Sequence, residues 1–186
     1  HNTVEHAAFA AVPPTQTCIN CHNPQDGVNG IWKASNKLDP VWESYQGDEE
    51  SGTPAGMPIE WITVPQLGDY AYFTHAAHVN KGVSCYSCLG RIDRMEIVQT
   101  VSPLSMSCGL DCHREPENYI RPVEEVYNLA WTPFDHPVVQ EAVDAGELSP
   151  SNRMAANAFL AGELGLVEKY QIRGTTYMTA CSTCHR

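Results

Sequence analysis

The chain has 186 residues and a mass of 20.5 kDa, a length that ordinarily makes one domain, and residues 1–186 are expected to form a single one. Thirteen glycines, thirteen prolines and few aliphatic runs argue against a core of long helices or sheet. A formal net charge of −11 disfavours nucleic acid and anionic lipid surfaces and favours basic partners. No run of about 20 apolar residues is present to span a bilayer.

Residues 1–14 are short and apolar-leaning, and the start at His1 reads as a mature or truncated end without a visible signal peptide. They lead through Val12-Pro13-Pro14 into Cys18-Ile19-Asn20-Cys21-His22. The turn signals Asn23-Pro24, Asp26-Gly27, Asn29-Gly30 and Asp39-Pro40 predict an irregular stretch over 23–60. Trp32, Trp42 and Tyr45 within it either pack on a flat partner or anchor loops. Residues 48–56 are acidic, glycine-rich and expected to be exposed. Partial alternation at Ile62, Val64, Leu67, Tyr70 and Tyr72 predicts a short extended segment over 60–73.

His75 and His78 follow at helical spacing, then Cys85-Tyr86-Ser87-Cys88-Leu89. A second extended segment is predicted over 91–100 from Ile92, Ile97 and Val98. Next stands Cys108-Gly109-Leu110-Asp111-Cys112-His113, and Pro116, Pro122, Pro133 and Pro137 punctuate what comes after. One helix is predicted over 138–148. Another begins at Ser149-Pro150, an N-cap and N1 pair, and runs to about residue 170. Met154, Ala158, Ala161, Leu164 and Val167 form its packing stripe. Cys181-Ser182-Thr183-Cys184-His185 stands near the C-terminal end, and the irregular spacing of the cysteine pairs excludes a solenoid array.

Cys-x-x-Cys-His is the attachment signature of haem c: two thiols form thioethers to the porphyrin vinyls, and the adjacent histidine ligates iron. Two intact and two near-intact copies mark Cys18, Cys21, Cys85, Cys88, Cys108, Cys112, Cys181 and Cys184 as haem-binding thiols. A disulfide framework or zinc sites are the alternatives for paired cysteines, but neither needs a histidine directly after the pair. The expected fold class is a multihaem cytochrome c. Irregular loops and short helices would wrap closely packed haems, with little sheet and the macrocycles as buried apolar mass. Haem c is attached outside the cytoplasm, so a periplasmic or equivalent compartment is expected.

A six-coordinate haem iron needs two protein ligands. His22, His113 and His185 are the proximal candidates. Distal ligands must come from the remaining histidines, from methionine, or from another chain. His75 and His78 are preferred, because a helical pair can serve two different haems and hold them close; a plain surface pair is the alternative. His136 is a further candidate, with a loop histidine of no metal role as its alternative. Met106 is another, and a thioether ligand would raise that haem's potential; core filling is the competing reading. Leu89 stands where a proximal histidine is expected and cannot ligate iron. Three residues separate Cys108 from Cys112, a spacing some haem c sites tolerate. The expected role is electron transfer with no catalytic residue. A free periplasmic multihaem shuttle of the c3/c7 style is the alternative, and a multihaem enzyme would need an open or lysine-ligated haem.

With those residues in view, the chain resembles the pentahaem cytochrome c subunit of bacterial alternative complex III, a membrane quinol oxidoreductase. The resemblance runs over most of the chain. It is carried by residues 12–22, Val41-Trp42-Glu43-Ser44-Tyr45, Tyr72-Phe73-Thr74-His75-Ala76-Ala77-His78-Val79-Asn80, residues 85–91, Pro103-Leu104-Ser105-Met106-Ser107, residues 111–114 and residues 181–186. It implies that His1 is the proximal ligand of a first haem whose cysteines lie upstream, for about five haems in all. It also implies a histidine where Leu89 stands, a fourth motif with its first cysteine one position later than Cys108, and a loop shorter than 48–56. The implied role is a membrane-attached electron wire on the periplasmic face. An iron–sulfur subunit would feed it, and a cytochrome c, a cupredoxin or an oxidase would accept the electrons. The implied membrane anchor precedes His1.

Overall fold

Short helices joined by loops and single 3-10 turns make up the chain in a computed structural model that describes residues 3–23 and 36–185. His1, Trp32 and the Asp26-Gly27 and Asn29-Gly30 turn signals lie outside the described residues. Among those described, the only β pairing is two isolated bridges, Asp48 with Thr53 and Val83 with Ile120. No helix is long and apolar enough to cross a membrane among the described residues. The proline content accounts for much of this. Pro116, Pro133 and Pro137 each open a helical turn, where a missing N–H costs nothing, and so stop the preceding one from extending.

The described residues fall into two compact units, one of residues 11–63 and one of residues 3–10 with 64–185. The smaller holds α1 (Thr15–His22) and α2 (Asp39–Gln46), which pack on each other. Helix α2 corrects the irregular reading of 23–60. Asp39-Pro40 is not a loop turn but a helix start, with the proline in the first turn and the carboxylate at the positive end of the helix dipole. Ser44 is buried between Thr15 Oγ1 at 3.0 Å and the Met57 carbonyl, to which its hydroxyl donates at 2.5 Å. The acidic 48–56 stretch closes on itself. Asp48 and Thr53 exchange backbone hydrogen bonds at 2.9 Å, and the Asp48 carboxylate accepts from the Glu50 and Ser51 amides.

The larger unit holds α3 (His75–Val79), α4 (Cys85–Leu89), α5 (Met106–Arg114), α6 (Pro137–Asp144), α7 (Arg153–Glu163), α8 (Leu166–Lys169), α9 (Thr175–Met178) and α10 (Cys181–Cys184). Neither extended segment forms a strand. Ile62 is 89% and Ile97 77% exposed, because alternation buries a face only where a sheet partner exists. The predicted 138–148 helix ends early, at Asp144. The long helix expected after Ser149 starts instead behind Asn152, whose side chain accepts from the Ala155 amide at 3.1 Å. It breaks at Gly165, which adopts a left-handed φ of +58° before α8. The packing stripe is rotated from the expected one: Ala156, Asn157, Leu160 and Ala161 are buried, while Met154 and Leu164 are exposed. Small residues face inward because α7 packs on the turns Pro116–Asn118 and Pro133–Asp135, and Asn157 donates to the Asn118 carbonyl at 3.0 Å.

Buried apolar residues form three small clusters rather than one core, around Leu166 and Ile120, around Leu160 and Trp131, and around Val126 and Val79. The Val83–Ile120 bridge joins the first cluster to the chain just ahead of α4. Beside it Gly82 accepts the Arg121 amide at 3.0 Å and has φ +81°. A Cβ on Gly82 would sit 2.4 Å from the Arg121 carbonyl oxygen and 2.9 Å from the Tyr170 ring. Gly82→Ala is therefore expected to destabilise the unit by about 1–3 kcal/mol. Thermal unfolding checks this, and an unchanged midpoint would show that the bridge is not held as described.

Candidate metal and cofactor centres

Each cysteine pair lies on a helical turn. Cys18 and Cys21 are on α1, Cys85 and Cys88 on α4, Cys108 and Cys112 on α5, and Cys181 and Cys184 on α10. Residues three or four apart share one helix face, so the extra residue between Cys108 and Cys112 leaves both thiols on the same side of α5. Serine caps start two of these turns. Ser84 Oγ accepts from the Tyr86 amide at 3.1 Å and donates to the Val126 carbonyl at 2.8 Å, and Ser105 Oγ accepts from the Cys108 amide at 3.4 Å. All eight thiols are unpaired, and none is fully buried. Burial, with the neighbouring Cys88 and Cys108 adding to it, pushes the Cys112 thiol up to about 11. Cys88 is raised for the same first reason, and then by Cys85 and Cys108. The α4 and α5 thiols therefore lie within electrostatic reach of one another, and burial raises Cys85, Cys88 and Cys112, which disfavours their thiolate forms.

The histidines share a pattern. His75 Nδ1 is 2.7 Å from the Ala8 carbonyl, His78 Nδ1 2.8 Å from that of Thr74, His113 Nδ1 2.8 Å from that of Met178, and His185 Nδ1 3.0 Å from that of Tyr70. A carbonyl only accepts, so in each ring Nδ1 carries a proton, and Nε2 is the nitrogen through which the neutral ring can ligate. That is how a metal-ligating imidazole is oriented by its outer partner. Burial pushes the His78 pKa down, which favours its neutral form. Three of the rings form one neighbourhood. Phe73 stacks on His78 at 4.3 Å and 25° and meets His75 edge-on at 4.9 Å. His78 lies 6.2 Å from His113, centre to centre, with the planes 23° apart.

The other candidates make none of these ring contacts among the described residues. His22 belongs to the smaller unit. Its carbonyl accepts from Trp42 Nε1 at 2.7 Å, which joins α2 to α1, and its buried Nδ1 has no hydrogen-bond partner among the described residues. His136 Nδ1 is likewise buried and unpartnered there, and its ring lines a cavity of about 580 Å³ with Asn128, Trp131 and Lys169. Met106, the first residue of α5, is 73% exposed. Leu89 ends α4 directly after Cys88, in the place that His22 takes after Cys21. Among the described residues no three histidine, cysteine or carboxylate side chains converge on a point, as a tetrahedral zinc would require. A haem iron asks only two ligands of the protein.

Sequence reasoning passed over the groups that orient these rings. The four accepting carbonyls belong to Ala8, Thr74, Met178 and Tyr70, and a backbone carbonyl leaves no mark on residue identity. Phe73 was findable as the aromatic residue two positions before a helical histidine pair. No protein-family model matches the chain, and no curated protein matches it.

Proposed function

We propose that this chain binds several c-type haems covalently and conducts electrons between them, as a periplasmic-face subunit of a membrane quinol-oxidising complex. The observation that carries the proposal is the His78–His113 pair. A metal–nitrogen bond of about 2.0 Å on each side, plus about 1 Å from nitrogen to ring centre, puts two axial imidazoles of one ion about 6 Å apart. The observed separation of 6.2 Å between ring centres is compatible with that span, and each Nδ1 of the pair is tied to a carbonyl. His113 follows Cys112 directly, so with His113 as proximal ligand, His78 of α3 would be the residue to hold the iron from the other side.

The rest of the unit fits the same group. Tyr70, Tyr72, Phe9 and Tyr177 are exposed around the anchored histidines although the buried clusters are small, an apolar surface that a macrocycle would cover. Two thiols on one helix face suit thioether formation with the vinyl groups of one porphyrin. Bound haem supplies a one-electron carrier whose potential follows ligand identity and burial. The protein's part is then to hold two imidazoles per iron, fix their planes and exclude water; it needs no acid, base or nucleophile. The resemblance to the alternative complex III subunit supports an iron–sulfur subunit as donor and a cytochrome c or cupredoxin as acceptor, and the charge of −11 suits a basic redox partner.

A pyridine haemochrome assay against total protein, on the denatured chain, tests the proposal. Four covalent haems are expected if all four cysteine pairs of residues 1–186 are loaded, and three if only the pairs with a following histidine are. A colourless chain holding zinc would overturn the reading.

A further inference from the structure

Arg121 is 2% exposed, yet no carboxylate of a described residue forms an ion pair with it. Its Nη1 donates over long distances to the Glu125 and Asn128 carbonyls, at 3.5 and 3.3 Å, and its guanidinium lies 4.5 Å over the Trp131 ring. Its Nε is buried with no partner among the described residues. A second guanidinium stands close by. Arg153 donates from Nη2 to the Trp131 carbonyl at 2.9 Å and lies 4.4 Å over the ring of Tyr86, the residue after Cys85. Burial, and after it Arg153, brings the Arg121 pKa down to about 10. Glu125 is the acidic group that offsets this in part, but its carboxylate accepts from Asn128 Nδ2 at 2.8 Å.

Two like charges are thus gathered in a chain with eleven lysines and arginines against twenty-two acids, and the more buried one keeps an unused N–H. The arrangement is not loose. Arg121 is pinned by the neighbouring Val83–Ile120 bridge and by the hydrogen bond its backbone N–H donates to the Gly82 carbonyl, just before α4. An unpaired buried cation is costly, and a planar guanidinium is the side chain best matched to a carboxylate. We propose that Arg121 and Arg153 form a carboxylate-binding site for the propionates of a haem held beside α4. The inference rests on the haem reading above, and it assigns the pair a ligand rather than a packing role.

The test uses the full chain with haem isotopically labelled at the propionate carboxyls. Peptide mass mapping first establishes whether residues 85–88 carry haem. Redox-difference infrared spectra then follow the labelled carboxylate bands in Arg121→Gln and Arg153→Gln, with Arg121→Lys and Arg153→Lys as conservative variants and the exposed Arg94→Gln as control. The bands are expected to shift in both glutamine variants, to return part-way with lysine, and to stay unmoved in the control. Loss of the positive charge is also expected to disfavour reduction of that haem by up to about tenfold, about 59 mV for one electron. Arg153 is the less buried of the two, so its variant decides the matter if Arg121→Gln does not accumulate. Haem present on 85–88 with unmoved propionate bands in the glutamine variants would overturn the site and leave the haem reading standing. A chain without haem would overturn both.

Discussion

His78→Ala is expected to leave the covalent haem content unchanged and to turn one low-spin haem high-spin. On the proposed reading the thioethers would come from cysteines, so attachment would not depend on a distal ligand. Ligand-field strength would. His78 stands opposite His113 at 6.2 Å, and its Nδ1 is spent on the Thr74 carbonyl, so alanine removes a ring that is already oriented. Axial ligands move haem potentials over about 0.8 V, and loss of one imidazole is expected to raise this haem by on the order of 100 mV. That is about 2.3 kcal/mol per electron, enough to slow transfer to a lower-potential neighbour by roughly fifty-fold. Electron paramagnetic resonance reads the spin state directly. In the unaltered chain the planes lie 23° apart, and near-parallel imidazoles give a rhombic low-spin signal rather than the highly anisotropic one of crossed planes. If His78→Ala keeps every low-spin signal at full intensity, the pairing is wrong.

Leu89→His is expected to act in the opposite direction. Leu89 ends α4 one residue after Cys88, as His22 ends α1 after Cys21. An imidazole there reaches the same side of the turn as the two thiols. The haem count should stay the same, one haem should pass from high-spin to low-spin, and its potential should fall by on the order of 100 mV. Gly90, at φ +63°, already ends the helix after this residue, so the substitution meets no requirement to extend it. Magnetic circular dichroism in the near infrared, on both proteins, gives the answer. With haem mapped to residues 85–88, a starting protein with no high-spin haem would mean that this site already has its full ligand set without residue 89.

How far each part could be read from residues follows from the range of the interaction that fixes it. The short helices follow in part from proline placement, which is local. The long helix predicted after Ser149 failed because its end depends on Asn152 as a cap and on Gly165 turning left-handed, both chosen by packing on the turns at Pro116 and Pro133. The extended segments failed for a related reason. A strand needs a partner, and alternation at Ile62 or Ile97 does not say whether one exists. His75 and His78 were legible as a pair because helical spacing alone puts them on one side of α3.

The cysteine pairs, with the histidines that follow three of them, were determined by sequence alone, since two thiols and a ring within five or six residues are set by the local backbone. Which imidazole faces His113 was not. That partner comes from α3, before the 85–88 pair, and the carbonyls that aim the rings come from residues 8, 70, 74 and 178. The Arg121–Arg153 pair is likewise a product of the β-bridge at Val83 and the packing of α7, with no motif to announce it. Covalent attachment is a short-range matter of spacing. Ligand pairing and charge placement are long-range, and they exist only once loops distant in sequence have been brought together and their backbone groups have found partners.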